Sequence, residues 1–173
     1  MSKSWMRITM GVVLLAVTAA PVHGQTGLAA ICNPDGRVAN LNFTLKDMNG
    51  DDVSLSAFEG KVILLDFWAT WCGPCKVEIP YFIDLYTTYQ EQGLQVLGFD
   101  VDDEIPALTA YAERMGMNYP ILIGAGRDDV LEAYGPMVGL PTTVIIGRDG
   151  NVCTSHTGLT EKAVFEEAIK ALL

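Results

Sequence analysis

Two hydrophobic patterns alternate along the chain. In some stretches apolar residues run without a break, and in others they recur every three or four positions, as in buried strands and amphipathic helices respectively. "KVILLDFWA" (61–69) is an apolar run with one acidic residue, rich in β-branched and aromatic residues, and it reads as a central strand covered on both faces. "KVEIPYFIDLYTTYQEQG" (76–93) then takes up helical spacing, with Pro74 just inside the helix start and Gly93 as its C-terminal cap. Upstream, "NFTLKDMNGDDVSLSAF" (42–58) is two short strands around an Asn49-Gly50 turn. Downstream come a strand in "LQVLGFDV", a helix in "EIPALTAYAERMG", a short strand in "YPILI" and a helix around "DDVLEAYG". "GLPTTVIIGRDGNVCTSHTG" is a pair of strands joined by the turn "RDGN". "EKAVFEEAIKALL" closes the chain as an amphipathic helix, with Val164, Ala168 and Leu172 along one face. The fold class is α/β: a mixed central sheet flanked by helices on both faces and preceded by an N-terminal β-hairpin, in one domain over residues 26–173.

The first residues break this pattern. Lys3 and Arg7 precede the apolar "ITMGVVLLAVTAA", and the small or modest residues of "PVHGQ" follow, which predicts a signal peptide over 1–24 cut after Gly24. The apolar run is roughly a dozen residues, against the about 20 that a membrane span needs, and an uncleaved anchor is the alternative. Ile31 is too large to precede a lipidated Cys32. Export places the chain in the periplasm of a bacterium. The net charge is −10, and losing the leader removes basic residues only. So acidic a surface repels phosphate backbones, which excludes nucleic acid as a partner.

An oxidising compartment demands an explanation for each of the 4 cysteines, Cys32, Cys72, Cys75 and Cys153. Cys72 and Cys75 form a C-x-x-C, which is a redox pair, half a zinc site or a structural disulfide. Zinc would need about four ligands, and Cys32, Cys153 and His156 are scattered singly; no metal and no cofactor are expected. A structural bridge closing a two-residue loop removes little entropy from the unfolded chain. Redox chemistry remains, and strand followed by helix suits it. Cys72 at the helix N-terminus is stabilised as the thiolate nucleophile, while Cys75, one turn deeper, is shielded and resolves the mixed disulfide. Trp71 is either a flat surface for a partner or a core residue.

One carboxylate, Asp66, interrupts the buried run. Residues 64, 66 and 68 share a face of the strand, and a desolvated carboxyl there is held protonated, able to exchange a proton with Cys75. The alternative is an Asp hydrogen-bonded for structure only. Glu78, three residues after Cys75, lies near the thiol's face of the helix or is simply solvated. Pro80 removes a helical hydrogen bond and is expected to kink the axis. In "GLPTT", Pro141 starts a strand, and a cis Leu140–Pro141 bond would be a fixed local feature.

"FWATWCGPCKVEIP" together with "GLPTT" resembles the thioredoxin superfamily, and specifically its exported TlpA/ResA-like thiol–disulfide oxidoreductases. "NFTLKDMNGDDVSLSAFEGKVILLDFWATWCGPC" is similar to that family's N-terminal hairpin and first core strand. The segment between "GLQVLGFDVDD" and "NYPILIGAGRDDVLEAYG" resembles the central insertion that separates these proteins from plain thioredoxin. The resemblance implies a thioredoxin fold with Cys72 as nucleophile, Cys75 as resolving thiol and Pro141 as a cis-proline against the pair. It places Trp71, Gly73, Pro74, Leu140 and Pro141 at the client, with the backbone of Leu140 pairing an extended client segment. Glu78 matches an acidic residue that tunes the thiols in ResA-like members, whereas Asp66 matches the buried Asp of thioredoxin, where many TlpA/ResA-like proteins have Asn.

The Gly73-Pro74 dipeptide is that of thioredoxin, a reductant at roughly −270 mV. It implies a reductant of protein disulfides, such as those of apocytochrome c or copper-site cysteines. The implied setting is a monomer recharged by a membrane electron donor of the DsbD/CcdA type. Cys32 and Cys153 either form a second, structural disulfide between the N-terminal arm and the late hairpin or are two unpaired thiols; His156 is a strand surface residue. Two rival readings are a Sco-like copper-delivery protein, which would have C-x-x-x-C and a distal His, and a thiol peroxidase, whose cysteine would follow a Pro/Thr approach absent from "FWATW".

Overall fold

The computed structural model describes Cys32 and residues 36–173; the signal segment expected over 1–24 lies outside them. A five-stranded sheet forms the centre, in the order β5-β4-β3-β6-β7. Its strands are β3 (Val62–Trp68), β4 (Leu94–Asp100), β5 (Ile121–Ile123), β6 (Thr142–Ile146) and β7 (Val152–Thr157). The hairpin β1 (Thr44–Lys46) and β2 (Asp52–Ser54) precedes it. The helices are α1 (Cys75–Tyr89), α2 (Ile105–Met115), α3 (Asp128–Tyr134) and α4 (Lys162–Leu172). β3, β4 and β5 are parallel, while β6 and β7 run antiparallel. α2, β5 and α3 occupy the segment expected as the insertion.

Every residue of β3, β4 and β6 is buried, the result of covering a sheet on both sides. On one side Ile63, Leu65 and Phe67 pack with Phe99, Val144, the α3 residues Val130 and Tyr134, and Leu45 and Leu55 of the hairpin region. On the other, Val62, Leu64, Val96 and Ile145 lie under Phe82 and Leu85 of α1 and Phe165 and Ile169 of α4. The edge strand β5 is covered by the hairpin turn, where Asp47 bridges Leu122 and the Met48 N–H donates to the Ile121 carbonyl at 3.0 Å.

Two expectations are refined. α1 ends at Tyr89 and continues as a 3₁₀ turn over Gln90–Gln92, and Gly93, at φ 104°, ends that turn rather than the α-helix. The buried face of α4 is Phe165, Ile169 and Leu172, not the Val164–Ala168–Leu172 row; Val164 is exposed. The larger Phe and Ile side chains remove more apolar surface from water, and the Phe165 ring meets Phe82 edge-on at 5.2 Å.

Cys32 is bonded to Cys153. Cys153 is the extra residue of a β-bulge opposite Ile145–Ile146, and its side chain joins the cluster beneath α1 and α4. His156, expected at the strand surface, is half-buried: its ring packs edge-on against Phe165 at 5.5 Å, and burial lowers its pKa. No helix among the described residues is long and apolar enough to cross a membrane.

Phe165→Ala is expected to cost about 3–5 kcal/mol of folding stability, the usual loss for truncating a buried aromatic. Val164→Ala should stay within about 0.5 kcal/mol. Urea unfolding of the two variants measures both, and equal losses would place the buried face wrongly.

Candidate active site

β3 ends at Trp68, and the chain crosses the end of the sheet to start α1 at Cys75. In between, the Cys72 N–H donates to the Ala69 carbonyl at 3.1 Å, closing a turn that brings the two sulfurs together. Pro74 has helical φ and ψ and precedes the first helical residue, so Cys72 sits in the turn before the helix and not in its first position. The Cys75 N–H points back and donates to Cys72 Sγ at 3.2 Å. This is the unpaired helix-end donor aimed at a sulfur, and it strengthens when that sulfur becomes a thiolate.

Cys72 and Cys75 form a disulfide. Cys72 retains 4% exposure, whereas Cys75 is fully buried. Gly73 and Pro74 are exposed. Trp71 is 62% exposed, which removes the core reading of this residue. Across from the pair the Leu140–Pro141 bond is cis, and Leu140 packs against the cluster that contains both cysteines. Among the described residues, neither the N–H nor the C=O of Leu140 bonds another backbone group, while the Pro141 carbonyl accepts from the Gly158 N–H at 2.8 Å. Among the described residues, Leu140 therefore offers a short stretch of free backbone against the cluster that holds Cys72.

Behind the disulfide lie two buried carboxyls. Asp66 faces the α1 side of the sheet, in register with Gly98 of β4, so the neighbouring strand supplies no side chain to pair with it. Its Oδ1 accepts a hydrogen bond from Thr143 Oγ1 at 3.3 Å, and its Oδ2 has no partner. Burial, and then the nearby Glu78, push its pKa well above the usual carboxylate range; the Thr143 bond opposes them only in part. Glu78 is buried too, which removes the solvated reading. Its Oε1 accepts the Thr160 N–H at 2.6 Å, and Oε2 is unpartnered. Burial raises Glu78 to about 7, with the Thr160 bond opposing. Two desolvated acids, both with raised pKa and one raised further by the other, are suited to exchange protons with a buried thiol near neutrality. The Tyr119 phenol joins them, pushed well up by burial and then by Asp66.

A third acidic group escaped the sequence reading. Asp102 and Asp103, just beyond the end of β4, accept hydrogen bonds from Trp71 and Thr70 of the redox turn, and Asp100, at the strand's end, accepts the Asp103 N–H. The signal was present in "GFDVDDE", which follows a strand parallel to β3 and therefore ends beside it. Among the described residues, no cluster of His, Cys, Asp or Glu is placed to hold a metal ion.

A disulfide between a buried and a barely accessible sulfur, set where a strand meets a helix and faced by a cis-proline, defines a thiol–disulfide oxidoreductase. The AhpC/TSA family model matches residues 37–155. The thiol-disulfide oxidoreductase ResA of Halalkalibacterium halodurans is 38% identical over 133 residues, covering 75% of this chain and 74% of that protein. ResA of Bacillus subtilis is 36% identical over 126 residues, covering 72% and 69%. A thiol:disulfide interchange protein of the thioredoxin family from Chlorobium tepidum superposes with a TM-score of 0.72 at 27% identity, over 79% of this chain and 96% of that one. The chain belongs to the AhpC/TSA family and is a thiol–disulfide oxidoreductase of the ResA-like kind on a thioredoxin fold.

Because folding raises the Asp66 carboxyl, the folded chain binds this proton more tightly than the unfolded one. Stability is therefore lost as pH rises from about 4 toward the folded value. Asp66→Asn should gain at least about 1.4 kcal/mol at pH 8, one pKa unit's worth, and nothing at pH 3.5. Urea midpoints at the two pH values test this, and an equal shift at both would remove the desolvated acid.

Proposed function

We propose that the chain is an exported reductant of protein disulfides that works through the Cys72–Cys75 dithiol. The observation that carries this reading is the Cys75 N–H on Cys72 Sγ, with two buried carboxyls of raised pKa behind the pair. In the dithiol form, the Cys72 thiolate attacks one sulfur of the client disulfide. A Cys72–client mixed disulfide forms, and the other client sulfur leaves as a thiolate and takes up a proton. Glu78, partly ionised at its pKa of about 7, then accepts the Cys75 proton, and the Cys75 thiolate attacks Cys72 Sγ, with Asp66 as the neighbouring acid of the pair. The second client sulfur is released, and two electrons have passed to the client while the protein closes its own disulfide. A membrane electron donor of the DsbD/CcdA type restores the dithiol from the periplasmic side.

Trp71, Gly73, Pro74 and the free backbone of Leu140 form the client-facing rim, where an extended segment pairs as a short added strand before Pro141. The ResA relatives support thiol–disulfide exchange and the Gly73-Pro74 dipeptide supports the reducing direction; the cysteines of apocytochrome c or of a copper site are the clients of this reading.

Equilibration with glutathione is expected to give a potential close to that of thioredoxin, roughly −270 mV; a value near that of DsbA, roughly −120 mV, would reverse the direction. Cys75→Ser should accumulate mixed disulfides on Cys72 in periplasmic extracts, and Cys72→Ser should form none. The pH profile of dithiol turnover should carry an inflection near Glu78's value of about 7. Glu78→Gln should abolish it, and an unchanged profile would remove Glu78 from the proton path.

A further inference from the structure

Trp68 and Asp100 are paired at the parallel ends of β3 and β4, so the turns that follow the two strands emerge side by side. The second turn grips the first. The Val101 N–H donates to the Trp68 carbonyl at 3.0 Å. Both oxygens of Asp103 are taken by one residue: Oδ1 accepts from Thr70 Oγ1 at 2.6 Å, and Oδ2 accepts the Thr70 N–H. Asp102 Oδ1 accepts the indole N–H of Trp71 at 3.0 Å. Asp100 supports this turn from inside. It is fully buried, and its Oδ1 accepts the Asp103 N–H at 2.8 Å. Burial alone would raise Asp103, but its hydrogen bonds to Asp100 and Thr70 hold the carboxyl below the usual range, so the clamp on Thr70 is charge-assisted.

None of these contacts touches a sulfur. The Cys75 N–H, Asp66 and Glu78 act on the cysteines from the helix and the sheet, whereas Asp102 and Asp103 act on the two residues immediately before Cys72. Those two residues lie on opposite sides of the turn's task. Thr70 is half-buried and sets where the turn leaves β3, and Trp71 is the exposed ring beside the attacking sulfur. An exposed Trp with a free indole N–H samples several rotamers, and a client that needs one of them must order the ring on binding.

We propose that Asp102 and Asp103 are positioning residues for client docking: Asp103 locks the Thr70 end of the redox turn, and Asp102 holds the Trp71 ring in one orientation beside Cys72. The inference rests on the disulfide-reductase reading above. The clamp prepares the surface on which a protein client lies, while the electron transfer itself is left to the two sulfurs. A large client therefore feels its loss, and a small disulfide that reaches Cys72 without lying on Trp71 does not.

Steady-state kinetics with dithiothreitol as electron source, insulin as the protein disulfide and oxidised glutathione as the small one test this. Asp102 is exposed, so Asp102→Ala is expected to fold. It should raise KM for insulin by about 3- to 10-fold, the effect of ordering one side chain, with kcat, the glutathione disulfide rate and the reduction potential unchanged. Trp71→Phe removes the indole donor and keeps an aromatic ring, so adding Asp102→Ala to it should produce no further change. Asp103→Ala should raise KM for insulin as well, and Asp103→Asn, which still offers Thr70 an acceptor, should recover most of it. Equal losses with insulin and glutathione disulfide, or an Asp102→Ala protein identical to the parent with both, would overturn the proposal. A parent chain that fails to reduce insulin removes the reductase reading and this inference together. An active parent with an unaffected Asp102→Ala removes only the inference.

Discussion

A single backbone amide governs the chemistry of this protein. The N–H of Cys75 has no helical carbonyl to meet, because α1 begins there, and it meets the sulfur of Cys72 instead. That donor makes the outer cysteine the better thiolate, and the same geometry buries the inner one. The asymmetry between the outer and the inner sulfur thus follows from where a helix starts, and the start follows from β3. A strand covered on both faces runs to the end of the sheet, and the chain must cross that end to reach the helix packed on the sheet's side.

Covering β3 on both faces also sets the acid–base part of the site. Asp66 occupies a position where water does not reach, opposite a glycine, with a single weak hydrogen bond from Thr143. Its neighbour Glu78 is equally dry and is anchored to the backbone at Thr160. Neither is in an ion pair among the described residues. A lone acid in such a place would simply stay neutral. Here Glu78 adds to the burial that raises Asp66, so the two acids are not electrostatically independent.

Much of this was legible in the residues, for reasons that are local. The "KVILLDFWA" run and the C-x-x-C after it place strand, turn and helix with little ambiguity, because continuous apolar burial and the Pro74 start are short-range signals. The Asn49-Gly50 hairpin is of the same kind. The face of α4 was misplaced by one position, since Val164 and Phe165 are adjacent and only the packing against Phe82 selects between them. Spacing alone left Trp71 and Glu78 undecided, and it took the burial of each to separate surface from core. Asp102 and Asp103 are not legible in the sequence because their partners, Trp71 and Thr70, lie about thirty residues earlier. Only the parallel pairing of β3 with β4 makes them neighbours. The partner of Cys153 was likewise a question that spacing leaves open.

The bulge that carries Cys153 lies at the level of Ile146 and Ile63, at the end of the sheet from which β3 sets out. The redox turn is at the other end, some 17 Å away at about 3.3 Å per residue along the strand. The protein thus carries two disulfides at opposite ends of one sheet, the Cys72–Cys75 bond in the turn before α1 and the Cys32–Cys153 bond at the bulge of β7. Exchange between the two would scramble the molecule's own cross-links. The length of the central strand keeps them apart, so the reactive pair does not meet the bond between Cys32 and Cys153.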